Sequence, residues 1–214
     1  NESTITDAFK DPGSDYNDIA FNAYAIDWGD VNETYLESIF RIGFAEYPGI
    51  TQEAEVSYET NLGEYSFFFG TEFQKDLFIG ISGGLTAGNY TYRRDFLEVD
   101  DQNDYNYNFI PSDTEGDSTD IDNILTHDEI DADMYGFTLR AGLLYKLTPN
   151  LNLGLSYLLP STIVVNEGYY SSITTELDDG STPFESDFAS EEDYEYRIKK
   201  PGKMSAGLAF VDIA

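Results

Sequence analysis

The single histidine of the chain, His127, stands in Thr-His-Asp-Glu inside an acidic stretch. A Ser-His-Asp triad would have to use it, and a site built from several histidines cannot form within this chain. Its surroundings read as those of a solvated loop histidine. Five carboxylates downstream of Pro111, namely Asp113, Glu115, Asp117, Asp120 and Asp122, form a weak candidate set for Ca²⁺, which takes oxygen ligands. Their spacing is not that of an EF-hand, because Gly116 falls between Glu115 and Asp117. Three cations, Arg140, Arg197 and Lys199, sit in stretches where polar and apolar residues alternate, as do Lys146 and Lys203. They can hold a carboxylate through charge-assisted hydrogen bonds, or pair with Glu64, Glu72 or Glu195 as structural ion pairs. There is no Gly-rich phosphate loop, no G-x-S-x-G and no cysteine. The expectation is therefore a protein that is not an enzyme and carries no cofactor.

Of the 214 residues, 41 are Asp or Glu and 11 are Lys or Arg, a formal net charge of -30. Such a balance argues against nucleic acid as the main partner, since phosphates need a basic surface. The 14 acids of residues 95–133 and the 10 of residues 167–195 are unaccompanied by Lys or Arg, and these stretches carry turn formers such as Asp-Asp-Gln-Asn-Asp and Asp-Asp-Gly-Ser-Thr-Pro. These stretches read as long, solvated, acidic loops over 95–133 and 167–193.

The whole chain holds 17 Tyr, 15 Phe and 18 Gly, a composition suited to strands. No run approaches the 18 or so apolar residues of a membrane helix. The chain opens Asn-Glu-Ser-Thr without a charged-then-apolar leader, and reads as a processed chain or an internal fragment. Five segments alternate with period two, near 64–73, 77–92, 134–147, 151–165 and 194–211. Phe137, Leu139, Ala141, Leu143, Tyr145 and Leu147, for example, oppose Gly136, Thr138, Arg140, Gly142, Leu144 and Lys146. On this pattern the parity of Leu151–Leu159 resumes past Pro160 at Ile163 and Val165, and Arg140, Lys146, Arg197, Lys199 and Lys203 all take the polar face. Lys200 falls on the apolar parity, so it either snorkels or marks a reset of the alternation at Pro201.

Tight turns at 74–76 and 148–150 alternate with the long loops, which places both turns at one end. Short turns at one end, long loops at the other and aromatics at the loop ends form the pattern of an outer-membrane barrel. The fold class expected is all-β: a partial antiparallel transmembrane β-barrel of five or six strands over 51–214, with long acidic extracellular loops. Residues 1–50 do not alternate and read as irregular or partly helical, with short helices over Asp15–Trp28 and Asn32–Ile42. Residues 52–60 read as a further strand that turns at Asn61-Leu62-Gly63.

Several phrases resemble the FadL/TodX-type outer-membrane transporters of long-chain fatty acids and other hydrophobic compounds. They are Glu64-Tyr65-Ser66-Phe67 into Leu77-Phe78-Ile79-Gly80, Gly142-Leu143-Leu144-Tyr145-Lys146-Leu147-Thr148-Pro149, Leu151-Asn152-Leu153-Gly154-Leu155-Ser156-Tyr157, and Tyr196-Arg197-Ile198-Lys199-Lys200-Pro201 followed by Ser205-Ala206-Gly207-Leu208-Ala209-Phe210. The resemblance covers roughly residues 50–214. It implies an even-numbered barrel of about fourteen strands, of which this chain would be an internal fragment. It also implies location in the bacterial cell outer membrane and passive uptake of hydrophobic solutes. Arg140, Arg197 and Lys199 are then candidates to meet a carboxylate in the lumen. The partners implied are hydrophobic small molecules, outer-membrane lipid and lipopolysaccharide, and possible protein partners in the outer membrane. Two other readings stay open: a barrel of the same architecture serving as scaffold or shuttle in protein secretion, and a soluble, acidic, calcium-dependent surface β-protein.

Overall fold

A computed structural model describes residues 9, 14–29, 32–41, 49–101, 103, 110–190 and 194–210. Among the described residues the fold is mostly antiparallel β-sheet with one α-helix, in two compact units. The first draws on residues 1–58, 92–130 and 168–191, the second on residues 59–91, 131–167 and 192–214.

In the first unit, Ser14 caps helix α1 (Asp15–Asn22), its hydroxyl accepting from the Asn17 amide, and Asp15 and Asp18 in the first turn complement the helix dipole. The helix stops at Tyr24, which takes a left-handed φ of 55°. Strands β1 (Ile26–Trp28) and β2 (Leu36–Ser38) then pair antiparallel, and a 3₁₀ turn follows at Ile39–Arg41. The helix expected over Asp15–Trp28 is present as far as Asn22 and gives way to β1, whereas the helix expected over Asn32–Ile42 is replaced by β2 and the 3₁₀ turn, with Ile42 outside the described residues. Ile26 and Trp28 have strand-forming side chains and find cross-strand partners in Ser38 and Leu36. Ile19, Ala20, Ile26, Ile39 and Phe40 pack with Ile124 and Ile173 into one core.

The remaining strands are β3 (Thr51–Gln74), β4 (Leu77–Val99), β5 (Ile110–Pro111), β6 (Ser118–Thr119), β7 (Ile121–Thr148), β8 (Leu151–Leu158), β9 (Ser161–Leu177), β10 (Phe184–Ala189), β11 (Tyr194–Lys200) and β12 (Lys203–Phe210). The main sheet runs β10-β9-β7-β4-β3, with β8 also on β7, β12 on β8 and β11 on β9. Among the described residues this sheet is open, with β3 at one edge. Several strands outrun their alternating segments. β3 passes through Asn61-Leu62-Gly63 without turning, and β7 and β9 occupy much of the stretches read as loops. Acids of these stretches lie on strands where they find partners: Glu98 on β4 and Asp128 on β7 are buried.

In the second unit the turn at Lys75-Asp76 is tight, with Asp76 at φ 64°, and its carbonyl accepts from the Lys146 amide at 2.9 Å. That bond sets the 74–76 turn beside the β7–β8 turn, at one end of the unit. Register assigns the faces. Tyr145–Leu153–Leu208, Leu143–Leu155–Ala206 and Ala141–Tyr157–Met204 form cross-strand rows over β7, β8 and β12, while Gly142–Ser156–Ser205 and Leu144–Gly154–Gly207 form rows on the reverse face. β4 joins in phase: a Cβ at Gly83 would meet Phe137 and Leu139, and one at Gly84 would meet Thr138 and Glu64.

Pro160 changes this phase. A Cβ at Gly136 would lie 3.1 Å from the Ile163 side chain, and Ile163 and Val165 pack with Ala132, Met134, Tyr90 and Tyr196. Ile163 and Val165 therefore share the face of Thr138 and Arg140, opposite to Leu153 and Leu155, and the parity does not resume past Pro160. Proline lacks the N–H that a regular ladder requires, and across the break at Leu159-Pro160, between β8 and β9, the following side chains turn over. Pro201-Gly202 does the same between β11 and β12: Tyr196 and Ile198 pair with Val165 and Ile163, whereas Met204 pairs with Tyr157. The reset at Pro201 is the alternative that holds for Lys200.

Candidate functional site

The polar face of the second unit is a groove floored by residues with little or no side chain. Gly80, Gly142, Gly154, Ser156, Ser205 and Gly207 form its floor, and Phe78 and Leu144 rise beside it. The same small residues, Gly80, Gly142 and Ser156, continue with Phe68 toward Arg140. β-Pairing puts these glycines side by side, because each sits at the same phase of its strand. Along one margin, the Arg140 guanidinium lies 3.3 Å from Glu64, which also accepts from Ser66 at 2.7 Å and from Thr138 at 3.4 Å. Lys146 stands 5.0 Å over the Phe78 ring. Lys203 and Arg140 both oppose Leu158, so Lys203 joins this face.

Arg197 and Lys199 do not. They pair with Val164 and Thr162, on the face away from Ile163 and Arg140. The reversal at Pro201-Gly202 is the reason, so these two do not share a face with Arg140, Lys146 and Lys203. Arg197 instead meets Glu195 at 3.0 Å.

The first unit holds an arrangement that periodicity did not predict. The Asp128 side chain is 4% exposed and accepts from Tyr16 (2.7 Å), Tyr169 (3.0 Å) and Ser171 (2.9 Å) through one oxygen, and from Arg94 (2.5 Å) through the other. The Tyr16 and Tyr169 hydroxyls also touch each other. Burial works against the charged carboxylate, but the hydrogen bonds from Tyr16 and Ser171 and the charge of Arg94 outweigh it and hold Asp128 below its ordinary pKa. Burial, with the adjacent Asp128, raises the Tyr16 hydroxyl, and burial with the Tyr16 contact raises Tyr169. On the next residues of the same strands, Arg93 pairs with Glu129 at 2.9 Å, and His127 lies 2.5 Å from Asp95 and 3.6 Å from Glu129. His127 is thus a strand residue between carboxylates, not a loop residue. A signal existed in Arg93-Arg94, adjacent bases just before an acid-rich tract. Alternation sends the two to opposite faces, where each needs a carboxylate.

The calcium candidates are used otherwise. Asp113 accepts from the Thr182 amide (2.7 Å) and hydroxyl (2.9 Å), Asp122 accepts from Asn123 (2.9 Å), and Asp117 bonds through its backbone to Ser112 and Thr114. Asp120 is buried, which raises its pKa, and the carboxylates of Asp178, Asp100 and Asp179 push the same way. Glu115 is exposed beside Gly116, whose φ of 90° makes the turn. Among the described residues no three Asp, Glu or His side chains gather as a metal site would require.

No protein-family model matches this chain, and no curated protein matches it either.

Proposed function

We propose that the second unit is part of the wall of a bacterial outer-membrane β-barrel through which hydrophobic solutes, long-chain fatty acids among them, pass without energy input. The observation that carries this reading is the glycine-floored groove that leads from Phe78 and Leu144 to Arg140, backed by an apolar face in register. The apolar runs are Tyr65–Phe73, Leu77–Ala87, Phe137–Leu147, Leu151–Tyr157 and Met204–Phe210, seven to eleven residues each. A tilted membrane strand needs about 9–11 residues. Exposed phenylalanine and leucine in such numbers on one face of a sheet call for a nonaqueous neighbour. The groove suits an amphipathic solute: glycine leaves room for an alkyl chain, Phe78 and Leu144 give dispersed contact, and Arg140 offers a charge-assisted hydrogen bond to a carboxylate.

A scaffold role in secretion has one observation in its favour, the packed core of the first unit, which is more than loops joining barrel strands require. The two readings part in one experiment. The full-length protein is placed in liposomes, and uptake of a labelled fatty acid is followed beside Arg140→Ala and a turn variant, Lys75→Ala. Uptake above empty liposomes, weakened several-fold by Arg140→Ala and not by Lys75→Ala, is expected. No uptake, together with stable capture of a secreted protein, would replace transport with the scaffold role.

A further inference from the structure

We propose that Arg197 and Lys199 form a binding site for the phosphate of a membrane lipid headgroup, at the margin of the apolar face. The proposal rests on the membrane reading above and adds a partner to it. Four of the eleven basic residues, Arg197, Lys199, Lys200 and Lys203, fall within seven positions that contain no acid, in a chain of net charge -30. The reversal at Pro201-Gly202 sorts them. Lys203 joins Arg140, while Arg197 and Lys199 turn to the face that carries Phe137 and Leu139.

Their height along that face is also determined. Lys199 opposes Thr162, and the Thr162 carbonyl is 3.0 Å from where a Gly136 Cβ would stand. Gly136 precedes Phe137, where the apolar run of β7 ends and Asp133 and Asp131 begin on the same face. The two cations therefore stand at the level where hydrocarbon-compatible surface gives way to charge. Among the described residues Lys199 has no ion-pair partner, and Arg197 is 64% exposed beside Glu195. Of the two β7 acids on that face, Asp131 accepts from Thr91.

A phosphate ester fits this pair. The guanidinium fork of Arg197 can take two phosphate oxygens, and the Lys199 ammonium supplies a second point charge. A lipid bound there would lay its acyl chains on Phe137 and Leu139, whereas inorganic phosphate would gain only the charges. The site also answers a difficulty of the whole chain, whose negative charge would otherwise repel an anionic leaflet.

The full-length protein, purified in detergent, is exposed to bisphosphorylated lipid A or to its dephosphorylated form, and retained lipid is read by native mass spectrometry. The wild type should hold the phosphorylated form in preference. The double variant Arg197→Gln/Lys199→Gln should lose about tenfold of that retention, and Lys75→Gln should lose none. Equal retention by the double variant, or of both lipid forms, would overturn the proposal with the membrane reading intact. Displacement of the lipid by millimolar inorganic phosphate would overturn the lipid assignment in favour of a free-anion site. A protein that stays monodisperse without detergent would overturn the membrane reading itself.

Discussion

Asp128 is a carboxylate that the first unit excludes from water and surrounds with four donating side chains. Removing its charge leaves Arg94 without a counter-ion, and breaking a buried pair in this way costs about 3–5 kcal/mol. Asp128→Asn should therefore lower the unfolding free energy of the first unit by about 3 kcal/mol, measured by urea denaturation with α1 release followed at Trp28. The pH dependence has a defined sign. Asp128 is held below its ordinary 3.8 when folded, so its contribution is complete above that value and disappears as pH falls through the lower folded value. Asp120 has the opposite sense, because burial and neighbouring carboxylates raise it: it costs stability above its folded pKa and the cost is relieved on acidification. Asp120→Asn should then stabilise the unit at neutral pH, with the gain shrinking as pH approaches the aspartate range. A gain that is unchanged at acid pH would show that the shape of the side chain, rather than its charge, decides.

At the scale of elements, Pro160 and Pro201-Gly202 determine which residues share a face. Because the chain lacks cysteine, single substitutions report the faces directly. Leu155→Cys, Leu208→Cys and Lys199→Cys should lie on one face and Ser156→Cys, Ser205→Cys and Ile198→Cys on the other. Nitroxides at Leu155 and Leu208 should be accessible to oxygen in bilayers, and those at Ser156 and Ser205 to a water-soluble nickel complex. If Lys199 and Met204 lay on opposite faces, the reversal would not exist. Deleting Leu159 should abolish folding, since a one-residue slip exchanges the faces of everything downstream. Most of the strands were legible from period two alone: the runs Phe137–Leu147 and Leu151–Tyr157 lie in β7 and β8 with the faces the alternation assigns. What was not legible has two causes. Prolines can hold or invert the phase, and only the pairing partner tells which, so Ile163, Arg197 and Lys199 were read on the wrong face. And acids reveal nothing locally about distant bases: Asp128 looks like any loop aspartate until Arg94, Tyr16 and Tyr169 are brought to it from 34, 112 and 41 residues away.

At the scale of the whole chain, a net charge of -30 opposes compaction. Asp100, Asp120, Asp178 and Asp179 act on one another within the first unit, so raising ionic strength from about 0.01 to 0.15 M, which shortens the screening length to about 8 Å, should raise its thermal midpoint. A midpoint that falls with salt would show that its ion pairs, such as Arg93–Glu129, outweigh the repulsion. The edge strand β3 has a different consequence. Every described residue of its span is exposed, and one side of its backbone has no ladder partner. Over Glu64–Phe73 that leaves roughly ten amide and carbonyl groups unsatisfied, and in hydrocarbon each would cost several kcal/mol. On the membrane reading proposed above, the sheet cannot enter a bilayer strand by strand. Partner strands would have to meet β3 before or during insertion, so protease protection and resistance to unfolding in sodium dodecyl sulfate should rise along a single time course rather than in sequence.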